Sequence, residues 1–402
     1  MRILVLLLLS VLLAACQSPS GQSTASEINT LIDSLRQEVA PDKRVALFQP
    51  EVRLESDNQL ILTGKTNLPE AANQLRTGLR ELGYTLTDSL RILPDNDQLD
   101  DRTYGLVHLS VCNIRSRPAH SAELSTQATL GTPLRVYEQK ENWFLVQTPD
   151  GYLGWLDRGG FTSITAGEWQ TWTNADRVIY LPDLGFALSE PDTEAGPVSD
   201  LVAGNILERL GKQGAFTEVR FPDGRTAYLP SADVAPFRDW LTNTVPTANQ
   251  ILATASRHLG RPYMWGGTSG KAMDCSGFTK TVFFLNGLLL PRDASQQVHV
   301  GTPIDADTSL ANLQPGDFLF FGRAPTSTTP EKITHVAMYL GDGKIIHAAE
   351  RVQIQSLRPG DPDFAPDRLA SFVRAKRMLE NPDQNGIPSL DQTDLYSPSD
   401  IQ

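Results

Sequence analysis

A constant offset of 73 residues relates two stretches of this chain. It pairs Gly131 with Gly204, Leu134 with Leu207, Trp143 with Phe216, Val146 with Val219 and Leu156 with Leu229. The tripeptide Pro149-Asp150-Gly151 recurs as Pro222-Asp223-Gly224 at the same spacing. So many coincidences at one offset imply two copies of one fold. Each copy holds short runs of strand-forming residues around a Pro-Asp-Gly turn, which predicts a small barrel. A length of 402 residues leaves room for further folded units.

Hydrophobic residues at 40% and charged residues at 20% exclude a disordered, collagen-like or polytopic membrane chain. Asp and Glu outnumber Lys and Arg 47 to 35, a net charge of -12, so no general attraction draws nucleic acid to this surface. Three cysteines cannot build a disulfide framework. Cys112 sits among apolar neighbours in a predicted strand, which suits a buried, inert thiol.

Met1-Arg2 precedes the apolar run Ile3 to Ala15, too short to span a bilayer and suited to a signal peptide over 1–15. The junction Leu13-Ala14-Ala15-Cys16 resembles a bacterial lipobox. That resemblance implies lipidation of Cys16, a tethered linker over 16–26 and an exported protein. Gln17 is not the Asp that retains many such lipoproteins at an inner membrane, which favours the outer membrane, facing periplasm or exterior.

The organisation expected beyond it is multidomain α+β. Over 27–104, Ile28, Leu31, Ile32, Leu35 and Val39 recur at helical spacing, and a second helix starts at Pro69 and ends before Gly83. Strands around Val45–Phe48, Leu60–Thr63 and Thr85–Leu93 complete a small α/β unit. The two barrels follow over 105–168 and 169–245. The phrases Val111-Cys112-Asn113-Ile114-Arg115 and Gly151-Tyr152-Leu153-Gly154-Trp155 resemble bacterial SH3-like domains. Pro246–Gln250 opens a last unit over 246–379. The tail 380–402, with five acids and no Lys or Arg, is expected to be disordered.

The chemistry concentrates in that last unit. Asp274-Cys275-Ser276-Gly277-Phe278 precedes an apolar helical run, so Cys275 falls at a helix N-terminus with Asp274 as its cap. Free amides and the helix dipole stabilise a thiolate there, which predicts a lowered thiol pKa. Downstream, His335 and His347 lie in two predicted strands joined by Gly341-Asp342-Gly343-Lys344. Antiparallel pairing would bring both imidazoles together on one sheet face. One ring then takes the thiol proton while the other fixes its tautomer, the arrangement of nucleophile, base and orienter. No metal-binding motif is present and no cofactor is expected.

These pieces resemble the NlpC-type cell-wall cysteine peptidases, compact relatives of papain. The resemblance is carried by Tyr263-Met264-Trp265-Gly266-Gly267, Asp274–Phe278, Pro291-Arg292-Asp293, Leu313–Asp317 and both His segments, over about 250–377. It implies a papain-like α+β domain with Cys275 as nucleophile, His335 as base, His347 as orienter and Tyr263 supporting the oxyanion. A Pro/Thr-rich stretch between Gly322 and Ile333 is expected to be a loop insertion. With SH3-like domains in front, the arrangement is similar to γ-D-glutamyl-L-diamino acid endopeptidases acting on murein peptides with a free N-terminal L-alanine. The implied ammonium pocket is Asp293, Tyr152 and Glu123, with Ser276 and Trp265 also facing substrate. Ala294 stands where some relatives carry a polar residue. The expected partners are murein peptides, the cell wall and, through the lipid, a membrane, with the protein acting as a monomer. A murein amidase or acyltransferase using the same triad, or a wall-binding lipoprotein without activity, are the alternatives.

Overall fold

The computed structural model describes residues 20–396, with side chains from residue 25. The expected signal segment, Cys16 and residues 397–402 lie outside the described residues. The chain divides into two compact units, the first ending at Ile92 and the second beginning at Leu93.

In the first unit, a helix over Ser20–Val39 begins inside the expected linker. It buries Ile28, Ile32 and Leu35, the predicted stripe, while Leu31 and Val39 are partly covered. The helix Pro69–Glu81 starts with proline in its first turn and buries Ala72, Leu75 and Leu79. Both pack with Leu60 and Leu62 of the strand Gln59–Thr66, which pairs antiparallel with Phe48–Ser56 and parallel with Thr85–Asp88 and Arg91–Ile92. The expected boundary at 104 falls too late. Leu99 is buried in the core of the first barrel, and the Asp95 amide donates to the Tyr137 carbonyl, so 93–103 belong to the second unit.

The repeat is a repeat of whole domains. Strands Tyr104–Val107, Val111–Arg115, Leu124–Thr129, Pro133–Lys140, Trp143–Gln147 and Leu153–Asp157 form one sheet. Each has a counterpart displaced by 73, from Arg177–Tyr180 through Thr226–Pro230, and the strand order is the same in both sheets. Gly151 and Gly224 close the matching turns at φ +81° and +90°, values that favour glycine. Val107, Ile114, Leu134, Val146 and Leu156 fill the first barrel, and Val178, Leu207, Val219, Ala227 and Leu229 the second. Cys112 is buried in the first, and burial pushes its thiol up to about 12. A helix over Ala166–Asn174 straddles the expected boundary at 168 and buries Trp169 and Trp172 between domains.

The last domain packs the helices Ala248–Arg257 and Cys275–Phe284 on a six-stranded antiparallel sheet. Phe278, Val282 and Phe283 of the second helix meet Phe318, Phe320, Val336, Met338 and Ile346 of the sheet. The Pro/Thr-rich stretch forms an exposed connection between the strands Phe318–Arg323 and Lys332–Gly341. The predicted disorder from 380 is overturned for residues 380–396. Ile387, Leu390, Leu395 and Tyr396 are buried, and the Leu289 and Leu390 amides pair with the carbonyls of Pro388 and Gly287. The Trp169 indole donates to the Leu395 carbonyl at 3.2 Å. Average composition conceals four apolar residues that each find a pocket.

A buried ion pair at the start of the Cys275 helix is hydrogen-bonded to the first barrel. Asp274 caps the helix by accepting from the Gly277 amide at 2.7 Å and also accepts from the Gly266 amide at 2.9 Å. Arg292, its side chain 1% exposed, grips both Asp274 oxygens at 2.6 and 3.1 Å. Its Nε donates to Thr126 of the barrel at 3.1 Å. Arg292→Met should leave Asp274 charged and buried without its partner, lowering unfolding free energy in urea by about 3–5 kcal/mol. Arg323→Met, at an exposed arginine, should change it by under about 0.5 kcal/mol. Leu390→Ala should cost about 2–5 kcal/mol in the same measurement if the tail is part of the core, and almost nothing if it is an appendage.

Candidate active site

Cys275 opens its helix, as the sequence predicts, and its thiol lies beside Val336 of the interior strand Lys332–Gly341. The backbone amides of Val336 and Ser276 point hydrogen bonds at it. The strand Lys332–Gly341 carries His335 and runs antiparallel to Lys344–Ala349, which carries His347; Met338 faces Ile346 in the register. That register places the two histidines diagonally on one sheet face. His335 Nε2 and His347 Nδ1 are 2.7 Å apart.

A third polar residue, absent from the sequence reading, completes the line. Gln355, on Arg351–Ser356, sets its Oε1 2.8 Å from His347 Nε2. A carbonyl oxygen only accepts, so His347 carries its proton on Nε2 and offers Nδ1 as an acceptor. His335 must then donate from Nε2, which leaves its Nδ1 as the basic nitrogen for the thiol. Nothing local marked Gln355. It is one of several glutamines, and only the pairing of the strands selects it.

The electrostatics differ from the sequence expectation. Burial pushes the Cys275 thiol up to about 11, and the adjacent Asp274 carboxylate adds to this. The amides of Val336 and Ser276 and the Arg292 guanidinium pull the other way and do not prevail. Burial likewise holds His335 well below its ordinary value and His347 at about 4, with the Arg368 guanidinium depressing both further. As folded, then, the thiol and both imidazoles are neutral. The helix N-terminus does not overcome desolvation at a residue only 7% exposed.

The remaining predicted residues fall into two groups. Tyr152 donates from its hydroxyl to Asp293 Oδ2 at 3.0 Å, across the junction of barrel and catalytic domain. Asp293 also caps the short helix Ala294–Gln297. The exposed Trp265 donates from its indole to Glu123 at 2.7 Å, a second pair across the same junction. Tyr263 borders the cleft beside His335, and burial pushes its phenol up to about 12, so it keeps its proton. Ser276 departs from the expectation. It is buried, and its hydroxyl donates to Asp274 and accepts from Arg292, because the capping network leaves it facing inward.

Comparison with known proteins agrees with this construction. Residues 260–363 match the model of the NlpC/P60 family, and residues 114–160 match the bacterial dipeptidyl-peptidase SH3 domain. A γ-D-glutamyl-L-lysine dipeptidyl-peptidase of Bacillus cereus is 30% identical over 64% of this chain and 76% of its own length. Dipeptidyl-peptidase 6 of Lysinibacillus sphaericus is 28% identical over 67% of this chain and 97% of its own. The crystal structure of an NlpC/P60 family protein from Bacillus cereus superposes with a TM-score of 0.58 at 26% identity, covering 69% of this chain and all of that one. With a thiol at a helix start, a histidine pair on the facing strands and an SH3-like domain beside them, this chain belongs to the NlpC/P60 family of cysteine peptidases.

Proposed function

We propose that this protein is a peptidoglycan endopeptidase that cleaves the bond between γ-D-glutamate and the diamino acid of murein stem peptides, preferring a free N-terminal L-alanine. The observation that carries the reading is the hydrogen-bonded line His335–His347–Gln355 beside the Cys275 helix, with two barrel-to-domain pairs alongside. The name of the similar Bacillus cereus enzyme, a γ-D-glutamyl-L-lysine dipeptidyl-peptidase, points to the same substrate class.

The chemistry follows from the neutral resting state. As Sγ of Cys275 bonds to the γ-carbonyl carbon, its proton passes to Nδ1 of His335. The imidazolium is held in orientation by the hydrogen bond to His347, itself held by Gln355. The developing oxyanion meets the first-turn amide of Cys275, left free by helix geometry, and the protonated phenol of Tyr263. His335 then returns the proton to the departing amine, leaving a thioester. Water, deprotonated by the same ring, releases the dipeptide.

The Tyr152–Asp293 pair and the Glu123 carboxylate suit the ammonium of an N-terminal L-alanine. Blocking that amine would remove the positive charge that these carboxylates offset, a strong basis for discrimination. The Leu13-Ala14-Ala15-Cys16 pattern supports an exported protein held to a membrane, by preference the outer one, through lipid on Cys16.

Cys275→Ala should abolish release of L-Ala-γ-D-Glu from L-Ala-γ-D-Glu-L-Lys, followed by mass spectrometry; residual turnover would overturn the mechanism. Acetylating the alanine amine should lower kcat/KM by at least about 100-fold, and an unchanged rate would remove the ammonium pocket. Stability should also depend on pH. His258 and His347 fall from 6.5 to about 4 on folding, and His335 falls too, each through burial first. Below 6.5 the unfolded chain takes up protons that the folded one refuses, so stability present above 6.5 should be lost toward pH 4. His258 and His347 each carry on the order of 3 kcal/mol of this loss, and His335 acts in the same direction. Urea midpoints across that range test it, and a flat profile would contradict the buried neutral rings.

A further inference from the structure

A cleft of about 870 Å³ opens beside His335, and none of Glu123, Tyr152 and Asp293 borders it. Its walls include Tyr263, His335, Gln355, Glu350, Asp367 and Arg368. In any mechanism in which His335 protonates the departing amine, the leaving residue must lie where that ring can reach. The ammonium-binding pairs occupy the barrel side, so the cleft on the histidine side receives the other half of the substrate.

Arg368 is the unexplained group in that cleft. It belongs to the short helix Pro366–Ala370 and is half-buried. Among the described residues its guanidinium forms no hydrogen bond or ion pair, although Asp367 is its sequence neighbour. Among the described residues, most arginines that are covered do have such a partner, the buried Arg292 with Asp274 and the partly covered Arg377 with Asp317 among them. An unmatched cation here is costly twice over. It loses hydration, and its field opposes the charge that His335 must acquire during catalysis. A carboxylate arriving with the substrate would remove both penalties, and a guanidinium is shaped to take one through two parallel hydrogen bonds.

We propose that Arg368 is a specificity-determining residue that binds a carboxylate carried by the diamino acid on the leaving side of the scissile bond. This rests on the γ-D-glutamyl–diamino acid reading above and adds the recognition of its second half. The α-carboxylate of a C-terminal diamino acid lies two bonds from the departing nitrogen, and a side-chain carboxylate lies farther out. Either is the same chemistry to the guanidinium. Glu350 and Asp367 on the same rim place negative charge where the distal ammonium of the diamino acid would lie.

The test compares L-Ala-γ-D-Glu-L-Lys with its C-terminal amide, and L-Ala-γ-D-Glu-meso-diaminopimelate with the form amidated at its α-carboxyl only. The unmodified enzyme should favour the free acid of the lysine peptide by about 10–100-fold in kcat/KM, mostly through KM. Arg368→Gln should bring that ratio close to one, and Arg368→Lys should restore part of it. If the α-amidated diaminopimelate peptide keeps its advantage over the lysine amide, the side-chain carboxylate is the one bound; if it loses it, the α-carboxylate is. Equal losses on acid and amide in Arg368→Gln, falling on kcat, would overturn the proposal and leave Arg368 acting only on the charge of the dyad. A second readout does not depend on cleavage. Free L-lysine and diaminopimelate should slow alkylation of Cys275 by iodoacetamide, lysinamide should not, and Arg368→Gln should abolish the protection. Carboxylate-dependent protection without peptide cleavage would reject the proposed bond while keeping the subsite; no protection together with unselective cleavage would reject the subsite alone.

Discussion

The ion pair between Arg292 and Asp274 is the constraint around which the catalytic half is arranged. One carboxylate caps the Cys275 helix, holds the loop at Gly266 and accepts from both terminal guanidinium nitrogens, while the guanidinium Nε reaches Thr126 of the barrel. Two charges so deeply buried are tolerated only when nearly every lone pair and proton is matched, and here they are matched by groups from three segments. That requirement converts a local N-cap into a joint between domains. Gln127 strengthens the joint, exchanging hydrogen bonds with Thr268 and accepting one from the Ser269 hydroxyl. The meeting of Tyr152 with Asp293, one residue after Arg292, depends on this alignment.

The same burial governs reactivity. Desolvation keeps thiol and imidazoles neutral at rest and makes the line through His347 to Gln355 a device for tautomer and orientation rather than for charge. Charge is needed only during the reaction, when it is offset by the forming oxyanion and by amides already aimed at the sulfur.

The duplicated barrels have diverged in use while keeping one topology. At the offset of 73, the second copy has Arg225 where the first has Tyr152, and Gly196 where the first has Glu123. It therefore lacks the polar pairs of the first copy. Its contacts with the catalytic domain are structural instead: Arg257 pairs with Asp183, and Lys271 with Asp200. The tail adds a further strap, with Leu390 and Tyr396 buried beside Trp169, Trp172 and Phe237.

Much of this was legible in one dimension. The barrel repeat appears because strand lengths and turn residues are local properties, copied together at one spacing. Cys275, His335 and His347 appear because a cap, a helix start and a Gly-rich hairpin turn leave local signatures. What the sequence could not supply depends on meetings between distant segments. Gln355 acquires a role from strand register, Ser276 loses its expected role to a network assembled from 126, 274 and 292, and the thiol pKa is set by how much protein covers it. The tail shows the same division, since its acidic composition spoke for solvent while four apolar side chains found pockets only in the folded surface. Backbone propensity acts between neighbours and can be read from them. Burial and its electrostatic consequences act through space, and only the completed fold decides them.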